Sequence, residues 1–345
     1  MSRARKPAVM EEMDEDHPRS TFDLVGHEAA LARVSHAIRG GKPPQAWLIA
    51  GPPGIGKATL AYRIARYLLR YGATAEGPPD LSVAASDPVS RRVAAQSHPG
   101  LLVIRRRVDD KGKMSTELKV DEVRRIAQFF GLSAGEGGWR VAIVDTADEM
   151  NENAANALLK NLEEPPAKSL LMLLSDAPGR LLPTVRSRCQ RLGLRPLNQA
   201  TLAAELARRL PEADEADRIA LARFAGGSLG LALKLAEEGG LDLARQADAL
   251  IESPNPDVPA LLAFADRLYR MEDGLREFGG FLTRALAERI RARAESGVNM
   301  ERWLKLLEKL NQTYERATGL NLDPRQTVLS SAFAVAHAKR RSGTI

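Results

Sequence analysis

Four uniform apolar runs punctuate the first half of the chain, at 47–50, 101–104, 141–144 and 170–174. Runs with no polar alternation predict strands buried on both faces, as in a parallel sheet. Between them apolar residues return at helical spacing over 28–38, 59–69, 120–130 and 153–162. Strand and helix in alternation predict an α/β domain, a parallel sheet with helices on both faces. After Pro196 the pattern changes. Leu202, Leu206 and Leu210 mark one helix, Ile219, Leu221 and Phe224 a second, and 229–235 a third. Longer helical stretches follow at 260–271, 274–294, 300–318 and 324–338, so the second half reads as all-α. Gly239-Gly240 and the run Ser253-Pro254-Asn255-Pro256 read as joints. Residues 1–20 are charged and lack apolar periodicity, which predicts a mobile arm.

Composition narrows the class. The chain has 345 residues, 44% hydrophobic and 27% charged, which argues against a mostly disordered chain. No apolar run approaches the ~20 residues of a membrane span, and no secretory signal is read at the N-terminus. A single cysteine, Cys189, excludes an internal disulfide framework and a Cys-rich zinc site, and points to a cytoplasmic protein. The net charge of +6 permits nucleic acid as a partner without requiring it. The basic runs Arg105-Arg106-Arg107 and Lys339-Arg340-Arg341 read as a solvated loop and tail, and aromatic residues do not interleave with them to stack bases. The five histidines are scattered without ligand spacing, so no metal site is predicted.

The chemistry begins after the first strand, at Gly51-Pro52-Pro53-Gly54-Ile55-Gly56-Lys57. Strand, glycine-rich loop, lysine and helix together form a phosphate-binding loop. Gly51, Gly54 and Gly56 let backbone amides curl round phosphate oxygens, the helix N-terminus adds positive potential, and Lys57 reaches the outer phosphates. The motif places Ser or Thr next, whose hydroxyl holds Mg²⁺. Here that residue is Ala58, with Thr59 one step on, about 100° further round the helix. A slightly shifted loop that lets Thr59 help stays open on sequence alone. Asp145 ends the third strand, at the sheet edge where ligands gather. An ATPase of this type carries Glu at the next position to orient the attacking water; this chain has Thr146, which offers no carboxylate. Asp148 and Glu149 read either as replacements or, more simply, as caps of a helix start. Binding without turnover is the expectation.

Two longer stretches then carry a resemblance. Residues 156–166, from Asn156-Ala157-Leu158 to Glu164-Pro165-Pro166, and residues 182–189, which contain Ser187-Arg188-Cys189, resemble the bacterial clamp-loader subunits of the AAA+ family. His17-Pro18-Arg19 and Asn321-Leu322-Asp323-Pro324-Arg325 extend the likeness to both ends. The resemblance implies an arm at 1–20, a nucleotide-binding AAA+ domain at 21–196, a helical lid at 197–252 and a helical collar for oligomerisation at 253–345. It places Ser175 at the family's polar first sensor and makes Arg188 an arginine finger acting in trans on a neighbour's ATP, against the simpler possibility of an ion pair within its own domain. In the motor subunits a lid arginine senses nucleotide in a Gly-Ser-x-Arg setting; the corresponding run is Gly227-Ser228-Leu229-Gly230. The four zinc cysteines of the motor are absent from 72–99, so no zinc is expected and that segment reads as mobile.

The implied function is a non-hydrolysing stator of the DNA polymerase III clamp loader, with ATP or ADP bound and no turnover in cis. The implied partners are the gamma/tau and delta subunits, and through them the sliding clamp and primer–template DNA. The competing readings are an ATP-hydrolysing motor of the gamma/tau type and a stand-alone P-loop kinase.

Overall fold

A computed structural model describes residues 17–106, 115, 117–131, 138–237, 239–253, 255–271, 273–294, 300–320 and 322–342. The chain divides into two compact units, one running to residue 201 and including 227–230, the other comprising 202–226 and 231 onward.

In the first unit β1 (Ala46–Ala50), β2 (Leu101–Ile104), β3 (Arg140–Val144), β4 (Ser169–Ser175) and β5 (Gln190–Gly193) form a parallel sheet in the order β2-β3-β4-β1-β5. Ala50 lies opposite Ser175 and Val144 opposite Leu173, so the strands β1, β3 and β4 release their chains side by side at one edge. The helices are α1 (Glu28–Arg39), α2 (Lys57–Tyr71), α3 (Pro88–Ala94), α4 (Val120–Gly131), α5 (Glu152–Glu163) and α6 (Pro183–Ser187). Strand alternation sends Trp47, Ile49, Ile143 and Met172 into one core with Ile38 of α1 and Leu60 and Ile64 of α2. Leu48, Ala142, Val144 and Leu173 enter the opposite core with Ile126 of α4 and Leu158 of α5. Both faces are buried, which is why these strands carry unbroken apolar runs.

Two expectations are corrected in this unit, and one element is added to it. The segment 72–99 is packed: Asp87 accepts a hydrogen bond from the Val89 amide at 2.8 Å to start α3, and Leu81 and Val93 are fully buried. Of the arm, residues 1–16 lie outside the described residues, but 17–20 form a turn with Arg19 buried. Arg66 of α2 donates to the carbonyls of Arg19 and Thr21, both at 3.1 Å, which ties this stretch to the sheet unit. The strand β5 escaped the apolar pattern because it pairs on one side only, with β1, and buries Leu192 alone.

The helices that follow are α7 (Gln199–Arg209), α8 (Glu215–Ala225), α9 (Leu229–Ala236), α10 (Gly240–Glu252), α11 (Val258–Arg270), α12 (Gly274–Ala294), α13 (Glu301–Gly319) and α14 (Pro324–Ser342). The second unit has its own aromatic core, in which Phe278 meets Phe264 edge-on at 4.8 Å and Tyr314 at 6.2 Å. The stretches expected as lid and collar, on either side of 252/253, both fall in this unit apart from 197–201 and 227–230. The helix α10, which periodicity did not reveal, is tied to α12 by the Arg289–Asp248 ion pair at 2.5 Å. Ile219, expected on an apolar face, is 64% exposed. The expected basic tail is partly engaged: Lys339 donates to the carbonyls of Ile251 and Glu252 at 3.0 and 2.6 Å, capping α10. Arg107, Pro254 and Asn321 lie outside the described residues.

A candidate phosphate site at the carboxyl edge of the sheet

The loop between β1 and α2 is built from glycines for local reasons. A Cβ on Gly51 would stand 2.8 Å from the Leu194 carbonyl oxygen, and Gly54 and Gly56 adopt φ of +70° and +107°, where side chains are disfavoured. Lys57, the first residue of α2, is buried. Its ammonium donates to the carbonyls of Gly51 and Pro52, both at 2.8 Å, and pairs with the carboxylate of Asp176. Asp176 follows Ser175 at the end of β4, and its amide donates to Asp148 Oδ1 at 3.1 Å. Asp148 therefore holds the turn after β4, a role that neither sequence reading gave it.

Around this pair stand the other predicted residues. Asp145 leaves β3 with its carboxyl pushed up by burial and further by Asp176, while the Thr146 amide, Lys57 and Arg105 oppose the shift. Burial, then Asp145, pushes the neighbouring Tyr62 phenol up to about 12. Thr146 sits at φ 54°, an unusual conformation for a β-branched residue, and its hydroxyl donates to the Asp145 carbonyl at 2.7 Å. The Ser175 hydroxyl is buried without a hydrogen-bond partner. Its carbonyl accepts from the Gly51 amide at 3.2 Å, so Ser175 adjoins the loop. Ala58 and Thr59 are half-buried on the first turn of α2.

The loop is also braced by residues distant in sequence. The Ser228 hydroxyl donates to the Pro53 carbonyl at 2.8 Å, and the Gly230 amide donates to the Gly54 carbonyl at 2.9 Å. His27 donates from Nε2 to the Ile55 carbonyl at 2.8 Å. Sequence reasoning found the loop but missed Asp176, Ser228 and His27 as its neighbours. Signals existed for two of them: Asp176 is a polar residue just past the carboxyl end of a buried strand, and Ser228 lies in the run that corresponds to the motors' nucleotide-sensing arginine.

These residues fit the phosphate part of a nucleotide: a glycine loop, a lysine at a helix start, and an orphaned buried hydroxyl beside them. They do not fit the magnesium ion that accompanies it in motors, because Ala58 offers no oxygen at the expected position. Among the described residues no group of three or more His, Cys, Asp or Glu is placed to hold a metal.

Arg188 lies just past α6 and is 37% exposed in its side chain. Its guanidinium donates to the Thr184 carbonyl at 3.0 Å and to Glu163 Oε1 at 2.7 Å. The pair is local and solvent-facing, so water competes for it. Next to it, burial raises the Cys189 thiol to about 11, which suits a packing residue rather than a nucleophile.

Sheet order and glycine loop together define a P-loop domain of the AAA+ class. Residues 26–198, half of the chain, match the family described as DNA polymerase III, delta subunit, and the chain belongs to that family. It is 37% identical over 195 residues to the DNA polymerase III subunit delta' of Pseudomonas aeruginosa, covering 56% of each chain. Against the delta' subunit of Escherichia coli it is 34% identical over 199 residues, 58% of this chain and 56% of the other. The gamma/tau subunit of Mycobacterium tuberculosis matches at 32% over 203 residues, 55% of this chain and 31% of that one. The chain thus matches about half the length of its delta' relatives. No helix among the described residues is long and apolar enough to cross a membrane.

Proposed function

We propose that this chain is a delta'-type stator of the DNA polymerase III clamp loader, a subunit that holds nucleotide without hydrolysing it. The observation that carries this reading is the state of the loop. Its phosphate-binding backbone and Lys57 are intact, whereas the magnesium hydroxyl is replaced by Ala58 and the sensor arginine by Gly230, which is pressed against Gly54. Thr146 in place of the water-orienting Glu removes a third requirement of turnover. Family membership supports assembly with gamma/tau and delta subunits, and action through them on the sliding clamp and primer–template DNA.

In this reading Arg188 acts on a neighbour rather than in cis. A guanidinium delivered to a transferring phosphoryl group offsets its developing charge, an effect worth on the order of 10³–10⁵ in rate. The exposed Glu163 pair orients Arg188 while leaving it free to exchange partners. The alternative, a gamma/tau-type motor, is supported by the 32% identity to gamma/tau and by Asp145 at its expected place. The two are separated by ATPase rates in a loader reconstituted with clamp and primed DNA. A silent isolated chain, with a large loss on Arg188→Ala in the complex, supports the stator. Turnover by the chain alone that disappears in Lys57→Ala and ignores Arg188→Ala supports the motor.

A further inference from the structure

We propose that Asp176 is a built-in counter-ion that gates the phosphate loop, competing with nucleotide phosphate for Lys57. This rests on the reading of the loop as a nucleotide site. A lysine ammonium has three donors. Here three acceptors surround it: the carbonyls of Gly51 and Pro52, and the Asp176 carboxylate. A phosphate oxygen reaches Lys57 only by displacing one of them.

Asp176 is the partner that must yield. The two carbonyls belong to the loop itself, and the neighbouring carbonyls of Pro53 and Gly54 are already held by Ser228 and Gly230. The loop therefore keeps its shape without an anion. Asp176 is a charged side chain on a separate element, fixed at its backbone by Asp148. A polyphosphate entering the loop brings negative charge beside this carboxylate, and like charges at contact repel. The Asp176 side chain is 38% exposed, so it exchanges its ion pair for water at modest cost, whereas Lys57, at 10%, does not leave. The barrier to loading is thus electrostatic and local. It weakens nucleoside di- and triphosphates, whose charge must sit at Lys57, and leaves the fold untouched.

The test is isothermal titration of ATP and ADP into the full chain, with each variant's fold checked by circular dichroism. Asp176→Asn keeps the shape and removes the charge, and is expected to bind ATP on the order of tenfold more tightly than the wild type. Asp176→Glu, which retains the charge, is expected to bind as the wild type does. Made in a Lys57→Ala background, Asp176→Asn is expected to change ATP affinity far less than it does beside Lys57, whereas a purely structural role of Asp176 would give the same change in both backgrounds. Asp176→Ser reads the same difference if the Asn variant does not fold. Equal, Lys57-dependent binding by wild type and Asp176→Asn overturns the gate and leaves the nucleotide site standing. A gain shared by Asp176→Glu also overturns it, because the charge would then be irrelevant. Folded proteins of which none binds ATP overturn both the gate and the site.

Discussion

The Gly230 amide donates to the Gly54 carbonyl at 2.9 Å, and a Cβ on Gly230 would stand 2.8 Å from that same oxygen. The position at which motor subunits carry a sensing arginine is thus closed to any side chain. The loop and the Gly227–Gly230 run share one compact unit, and the bond between them brings two glycine backbones into contact. Gly230→Ala is expected to cost about 1–3 kcal/mol, the range for overpacking a close contact. Urea unfolding measures this, and an unchanged midpoint would show that the contact relaxes freely.

Ala58 decides how the site treats magnesium. Without the hydroxyl, ATP affinity of the wild type is expected to be the same in Mg²⁺ and in EDTA. Ala58→Thr is expected to bind more tightly in Mg²⁺ than in EDTA. Calorimetry in the two buffers checks it, and a magnesium-dependent wild type would mean that Thr59 reaches the metal after all.

Arg188 separates stability from function. Its pair with Glu163 is partly exposed on both sides, so Arg188→Ala is expected to cost less than about 1 kcal/mol of folding stability. A double-mutant cycle with Glu163→Gln measures the pair directly. A coupling of several kcal/mol would make Arg188 a structural residue and weaken the finger reading.

The second unit carries a pH-dependent element. Burial raises the Glu288 carboxyl above its ordinary 4.5, with Asp248 adding to the shift and Arg291, Arg284 and Arg289 opposing it. For an acid whose folded value is raised, the native state holds the proton longer than the unfolded chain. Stability therefore falls as pH rises from 4.5 through the folded value, and the loss persists at neutrality. Glu288→Gln is expected to raise the melting temperature at pH 7 and to leave it nearly unchanged at pH 4. Equal shifts at both pH values would assign the effect to packing.

Much of the sheet unit is legible from residue order. The runs around Trp47, Val141 and Leu170 are uniformly apolar because each strand is buried on both faces, and the glycine loop follows the first of them. Elements without that signature escaped: β5 is a polar edge, α3 is short, and α10 is masked by the glycines before it. The packed segment 72–99 was misread because a few buried residues, Leu81 and Val93 among them, fix a stretch whose composition looks loose.

The sequence by itself determined the strands, the loop glycines, Lys57, and the absence of a hydroxyl at Ala58 and of a carboxylate at Thr146, because each depends on residue type and local spacing. Only the tertiary structure decided that Lys57 pairs with Asp176, that Asp148 holds the turn after β4, and that Ser228 and Gly230 brace the loop. Those contacts join residues far apart in the chain, and their partners follow from where the packed sheet releases its strands, which no local pattern records.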